Sequence, residues 1–526
     1  MRSALLGLAL IAGVAQAQES PASPIRKRTA YEDLQMFSQV LNQIRVNHPD
    51  SIDTHDLFMA AVTGMVHAAD PHSYVIPATR LVPEKETAMR AGKLYPVPVA
   101  FAFYGGSPVV VSVAPSSEAA TLDIMPGDEL VAVDSQPVQA ESAEELEISL
   151  AGPKGSTTKL SLQRRRLDGS VVTVERTVKR ERAEETTAVP TAFMLHPQTG
   201  YIRVTTFANQ KVADDLHAAL GRLEGRDMKR LVLDLRDNGG GSVDEAARVA
   251  GEFLPKGAIV YTAQTRKKAE GEKDTVRVGR SFWSHEKRYP LVVLINAGTA
   301  SASELVAGAL QDHDRAVTVG RPSFGKALLM RGLPLADGSL IMLVVGHVTT
   351  PCGRVVQRQY RGITRRDYFR LARAERDTAG RPSCKTDGGR TVYGGGGIYP
   401  DVVLPEPDPP PLWLARARED DLPLKWVGGY LAAAGASLPV LDSLAAHPVL
   451  PAAAQETFRT FAAAQGVAIP ADAGDQLQRL LVRSVALAKW GEEGLYRIAA
   501  ASDPAVETAA KQFDRATAIL NAARPN

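Results

Sequence analysis

The sequence predicts a multidomain α/β protein, on three observations. Residues 190–350 alternate apolar strand runs with amphipathic helix patterns. Residues 93–182 switch to short strands punctuated by turns, and both ends of the chain read as helical. At 526 residues the length allows roughly three to four domains and a large core. Composition is that of a globular protein, and a net charge of +2 gives no reason to expect a nucleic-acid partner.

The N-terminus comes first. Met1-Arg2-Ser3 is a short positive region, Ala4 to Val14 is apolar, and Ala15-Gln16-Ala17 is a small-residue cleavage pattern. This predicts a signal peptide over 1–17, too short to span a bilayer, and a mature protein in the periplasm or secreted, with no integral membrane segment. Export bears on Cys352 and Cys384, the two cysteines of the chain. In an oxidising compartment they are expected to pair, the alternative being two unpaired thiols.

Leu34, Phe37, Val40, Leu41 and Ile44, then Leu57, Ala61, Met65 and Val66, recur at helical spacing and define an N-terminal helical region over 26–92. Asp70-Pro71-His72-Ser73 closes the helical pattern. PVVVSVAP at 108–115, LDIMPGDELVAVD at 122–134, and two strands turning at Asp168-Gly169 give a compact domain at 93–182. In the α/β stretch, GYIRVTTF, LVLDLRD, AIVYTAQT, LVVLIN and AVTVG are strands separated by helices, expected mainly parallel. ALLMRGLPL and SLIMLVVGHVTTP form a hairpin at Ala336-Asp337-Gly338. An arginine-rich insertion at 353–390 reads as a solvated segment. A proline run at 407–411 leads to a C-terminal helical region, 412–526, with Trp413, Trp426, Phe458, Phe461, Leu480 and Trp490 as packing anchors.

Three segments carry candidate chemistry. Ser301 follows an apolar strand and a small-residue turn, and with Glu304 it fits a capping box. On that stretch alone Ser301 reads more readily as a helix cap than as a nucleophile. Lys326, after Gly325 and before an apolar run, sits where burial lowers an amine's pKa and lets it take a proton from serine; a surface lysine beside a turn is the plainer reading. Gly239-Gly240-Gly241, between a strand and a helix, would let backbone amides converge on an anion, or would simply permit a tight turn. No G-x-S-x-G elbow and no H-E-x-x-H zinc helix occurs, so metal catalysis has no support and no cofactor is expected.

The stretch MPGDELVAVD and the order of elements around it resemble a PDZ domain, a fold that holds a peptide by adding it as a strand to a sheet edge. Asp70-Pro71-His72-Ser73, this PDZ-like stretch, DLRDNGG at 234–240, SASE at 301–304, GRPSFGK at 320–326 and GIYPD at 397–401 then occur in one order. Together, over residues 30–405, they resemble the carboxyl-terminal processing proteases. The resemblance implies a layered α/β protease core of the crotonase or Clp kind over 183–406, with Ser301 as nucleophile and Lys326, 25 residues on, as general base. It also implies backbone amides of Gly239 and Ala302 as oxyanion donors. Substrates would be proteins or peptides cut near their C-terminal tails, and a homo-oligomer is left open.

Two positions depart from the family pattern. The loop expected to bind a carboxylate is Tyr95-Pro96-Val97-Pro98-Val99-Ala100-Phe101, in which two prolines remove two amide donors. Val97, Val99 and Phe101 are the candidate peptide-binding residues. Met330 stands where the family carries a glutamine supporting the lysine, and it has no hydrogen-bond donor. These departures keep a second expectation in play, a secreted binding or scaffold protein with a weak or inactive protease core.

Overall fold

The computed structural model describes residues 29–76, 85, 87–88, 93–104, 107–114, 117–140, 143–166, 170–181, 187–265, 274–279, 286–374, 378–434 and 438–522. The signal peptide expected at 1–17 and the turn at Asp168-Gly169 lie outside them. The chain divides into two compact units after Met65. In the first, the helix Ala30–Asn47 opens on a capping box between Thr29 and Glu32, and Phe37 meets Phe58 edge-on at 6.2 Å between ring centres. No helix among the described residues is long and apolar enough to cross a membrane.

The centre of the second unit is a six-stranded sheet ordered Val402–Val403, Val317–Gly320, Leu291–Ile295, Arg230–Asp234, Thr199–Arg203, Thr191–His196. All neighbours are parallel except the last pair. Its central strands read as unbroken apolar runs because both faces are buried. Leu231, Leu233, Leu291, Val293 and Ile295 face the helices Val212–Glu224, Val243–Gly251 and Ala302–Asp312. Val232, Val292, Leu294, Val317 and Val319 point the other way, against Val506, Ala509, Phe513 and Ala516 of the helices Pro504–Ala510 and Phe513–Ala522. The helices nearest the C-terminal end are therefore a layer of the central sheet.

The strand Ile259–Thr265 departs from the parallel expectation. It lies in a second, antiparallel sheet between Leu340–Thr349 and Asp274–Arg277. Val260, Tyr261 and Ala263 are buried and Gln264 is exposed, so the strand keeps part of one face open, with the pairing irregular between Ile259 and Tyr261. The hairpin at Ala336-Asp337-Gly338 forms as expected, with Leu328–Pro334 antiparallel to Leu340–Thr349.

Residues 99–179 build an antiparallel sheet ordered Val99–Tyr104, Ser107–Val113, Glu129–Val133, Thr157–Arg165, Val171–Lys179, around Val110, Leu130, Leu146, Leu160 and Leu162. Its turn at Met125–Asp128 is pressed onto the helix Leu422–Ala434. A Cβ on Gly127 would come within 2.5 Å of the Leu424 carbonyl oxygen, and one on Gly428 within 2.5 Å of that of Pro126. The helices between Trp413 and Ile498 enclose their own core, in which Trp426 stacks on Tyr430 at 4.5 Å and meets Phe458 edge-on at 5.4 Å.

The arginine-rich segment is not simply solvated. Arg354 and Arg358 are buried, and Arg390 is half-buried between Asp314 and Asp401. Within the segment the helix Arg365–Ala374 buries Tyr368 completely. A Cys352–Cys384 disulfide closes the segment's base.

Candidate active site

Three turns at the C-terminal ends of neighbouring parallel strands meet at the site, where an open α/β sheet places its ligands. The first follows Leu291–Ile295 and carries Ser301. Asn296 organises it: its Oδ1 accepts the Gly298 and Asp237 amides at 3.0 and 2.9 Å, and its Nδ2 donates to Asp237 Oδ1 at 2.8 Å. The serine turn is thereby bound to the turn after Arg230–Asp234. Thr299 adds a second tie, its hydroxyl donating to the Leu235 carbonyl at 2.9 Å. Ser301 itself has φ 56° and ψ −119°, a conformation that costs a non-glycine residue about 1–3 kcal/mol and persists only where the surroundings impose it. A serine serving only as a cap would sit in extended backbone, as Thr29 and Ser242 do in this chain.

The second turn is the glycine run. Asn238 is buried, its Nδ2 donating to the Val204 carbonyl at 3.0 Å and its Oδ1 accepting the Gly240 amide at 2.9 Å. The Asn238 carbonyl in turn accepts the Ala300 amide and the Ser303 hydroxyl, both at 3.0 Å. Gly240 lies against the serine: a Cβ there would meet Ser301 Cβ at 2.7 Å and the Ala302 nitrogen at 2.9 Å. Gly239 faces open space. Beneath the turn Asp234, fully buried, binds Arg236, Arg203 and the Tyr201 hydroxyl, and Arg236 reaches Asp503 at 2.7 Å. Burial pushes the Asp234 carboxyl up, but the two guanidinium groups and the tyrosine outweigh it and hold the carboxyl below its ordinary value.

The third turn carries Lys326. Gly325, at φ +90°, brings its backbone so close to Gly397 that a Cβ would meet the Gly397 nitrogen at 3.0 Å. The Gly325 and Lys326 amides both donate to Glu304 at 2.8 Å. Glu304, one turn along the helix that Ser301 opens, is wholly buried and also accepts the Ser301 amide at 2.9 Å and the Ser323 hydroxyl. Burial raises its carboxyl to about 7 against these four hydrogen bonds. Lys326 is half-buried. Desolvation lowers its ammonium below the ordinary 10.5, and the charges of Glu304 and Asp70 pull it partly back. Lys326 is tied to the serine's helix through backbone. Among the described residues no hydrogen bond joins its Nζ to the Ser301 hydroxyl.

Asp70 to Ser73 completes the cluster. Asp70 accepts the His72 and Ser73 amides and the Ser73 hydroxyl, and that hydroxyl accepts the Val344 amide at 3.0 Å. His72 packs edge-on against Tyr368 at 4.8 Å and lies near Phe324, two residues before the lysine. A polar cavity lined by His67, Asp70, Pro71, Tyr360 and Ile363 borders this group.

The structure thus brings Ser301, Ala302, Gly239 and Lys326 onto adjoining turns. Val97 and Val99 are placed differently, buried in the core of the antiparallel domain with Phe101 packed against it. Most of that loop's backbone is already used. Tyr95 exchanges two hydrogen bonds with Gly152, and the Pro96 and Pro98 carbonyls accept the Glu181 and Ala114 amides. Met330 lies in a strand opposite Val344. Sequence reasoning saw Glu304 only as a capping residue. A carboxylate in a helix whose other residues are nearly all small or apolar was the available signal. It did not find Asn296, Gln357 or Tyr368, which carry no spacing signature, and Asn238 was seen only as part of the DLRDNGG motif, with no role given to it.

Residues 198–366 match peptidase family S41. A carboxy-terminal-processing protease of Bartonella bacilliformis is 28% identical over 336 residues, 63% of this chain and 74% of its own. The chloroplastic carboxyl-terminal-processing peptidase 2 of Arabidopsis thaliana is 35% identical over 249 residues, and a carboxyl-terminal-processing protease of Synechocystis is 36% identical over 248. The match covers 46% of this chain in the first case and 45% in the second, and about half the length of those two relatives, 46% and 53%.

Proposed function

We propose that this chain, whose residues 198–366 match peptidase family S41, is an exported serine endopeptidase that cuts proteins or peptides near their C-termini. In this reading Ser301 is the nucleophile and Lys326 the general base. Neutral Lys326 takes the Ser301 proton as the hydroxyl attacks the scissile carbonyl. The oxyanion is met by the Gly239 and Ala302 amides at the start of the helix Ala302–Asp312. The protonated lysine then gives its proton to the leaving amine, and water repeats the sequence on the acyl-enzyme. These steps use side chains and backbone alone. The antiparallel domain, read as PDZ-like over 93–182, would take the substrate tail along the edge strand Val99–Tyr104 rather than grip its terminal carboxylate, since few amides of the 95–98 loop are free.

The observation that carries the proposal is the strained backbone of Ser301, beside a buried carboxylate that holds the amides of Ser301 and Lys326 together. A second reading, a binding protein with a weak protease core, draws on the missing Ser301–Lys326 hydrogen bond and on Met330. Cleavage of an unfolded reporter with an apolar C-terminal tail separates the two. The mature protein should cut it, with Ser301→Ala and Lys326→Ala each abolishing cleavage. Binding of the tail without any cleavage would put the second reading first.

A further inference from the structure

Lys326 stands on a turn, yet a base must hold its amine within a few tenths of an ångström of a productive position. Glu304 fixes the amides of Gly325 and Lys326, and the Gly325 carbonyl and the Ala327 amide flank the lysine on either side. Both are taken by side chains from the segment after Cys352. Gln357, 7% exposed, accepts the Ala327 amide through Oε1 at 2.9 Å and donates through Nε2 to the Tyr368 hydroxyl at 3.0 Å. Tyr368, 0% exposed, donates that hydroxyl to the Gly325 carbonyl at 3.2 Å. The chain of bonds closes on itself: Gly325, Tyr368, Gln357, Ala327, with Lys326 as the one residue enclosed.

Resting on the Ser–Lys reading above, we propose that Gln357 and Tyr368 are positioning residues for Lys326, and that the arginine-rich insertion is part of the catalytic apparatus. The far end of the insertion explains how it holds its own place. Arg354 pairs with Asp312 at 2.7 Å, the Cys352 amide donates to the same carboxylate at 3.1 Å, and Arg390 binds Asp314. Asp312 is the last residue of the helix that Ser301 opens. The insertion therefore runs from the far end of the nucleophile's helix to the turn of the base, with the Cys352–Cys384 disulfide closing it at the Asp312 end. A buried tyrosine hydroxyl in a segment rich in surface arginines is costly unless it is bonded, and here both of its bonds go to this ring.

Tyr368→Phe tests the inference with little risk to the fold. The two groups it deprives keep other partners: the Gly325 carbonyl still accepts the Arg358 amide at 2.9 Å, and Gln357 Nε2 still donates to the Arg358 carbonyl at 2.8 Å. On the reporter, kcat should fall about tenfold with KM within about twofold, because the base is loosened while the substrate surface is untouched. Gln357→Leu should do the same more severely, and amide hydrogen exchange at Lys326 and Ala327 should accelerate in both variants. A Tyr368→Phe protein with unchanged kcat, whatever its melting temperature, would overturn the inference. If the wild-type protein cleaves nothing, the proposed function fails and exchange alone decides: unchanged protection at Ala327 in Tyr368→Phe would remove the positioning claim.

Discussion

Ser301 and Lys326 are joined through one atom: Glu304 Oε2 accepts the Ser301 amide at 2.9 Å and the Lys326 amide at 2.8 Å. Their separation along the chain is thereby converted into a fixed relation between the helix start and the turn. The other oxygen of the same group holds Gly325 and Ser323.

Glu304→Gln should break this relation. Turned one way, its NH2 faces the Ser301 and Lys326 amides, and turned the other way it faces the Gly325 amide and the Ser323 hydroxyl, so at least one buried amide loses its acceptor, at about 1–3 kcal/mol each. We expect kcat to fall by about a hundredfold and the urea unfolding free energy by about 2–4 kcal/mol. Steady-state kinetics and urea melts check this, and a variant with wild-type values in both would mean that the carboxylate is dispensable.

The pH profile should report the lysine. In the proposed reaction Lys326 acts as a base only when neutral, and burial lowers its ammonium below 10.5. The value of kcat/KM should therefore rise with pH through that lowered pKa and fall away on the acid side. Asp70 stabilises the ammonium, so Asp70→Asn favours the neutral amine and should move the acid limb to lower pH. A limb that moves upward or stays in place would show that Asp70 does not act on this group.

Gly240 should be far more sensitive to alanine than Gly239. Gly240 has φ +96°, and a Cβ there would lie 2.7 Å from Ser301 Cβ, whereas one on Gly239 meets nothing within 4 Å. Gly240→Ala should cost about 1–3 kcal/mol of stability and displace the serine turn, while Gly239→Ala should melt within about 0.5 kcal/mol of wild type. Equal losses at the two positions would contradict the close packing of Gly240 on Ser301.

Much of the central sheet was legible because Leu231-Val232-Leu233 and Leu291 to Ile295, buried on both faces, are unbroken apolar runs, and the hairpin was legible because Ala336-Asp337-Gly338 is a turn between two long apolar runs. The strand Ile259–Thr265 was misplaced because it was read as one more strand in a series. The site was legible where motifs put a serine and a lysine on turns. It was not legible at Glu304, whose capping position is the same whether it caps a helix or binds a second turn. Tyr368 was hidden by its neighbours, since arginines on both sides make a solvated segment the economical reading. The alanine-rich composition of residues 500–522 gives no sign of what those helices cover.

That last cover has a consequence for biogenesis. Val232, Val292, Leu294, Val317 and Val319 have been synthesised long before Val506, Phe513 and Ala516 exist to shield them. A growing chain therefore carries an exposed apolar sheet face, a target for holding chaperones and a hazard for self-association, until its last helices arrive. The turn bearing Gly239 is braced through Arg236 by Asp503, so that brace too forms only once the helices of residues 500–522 have been synthesised.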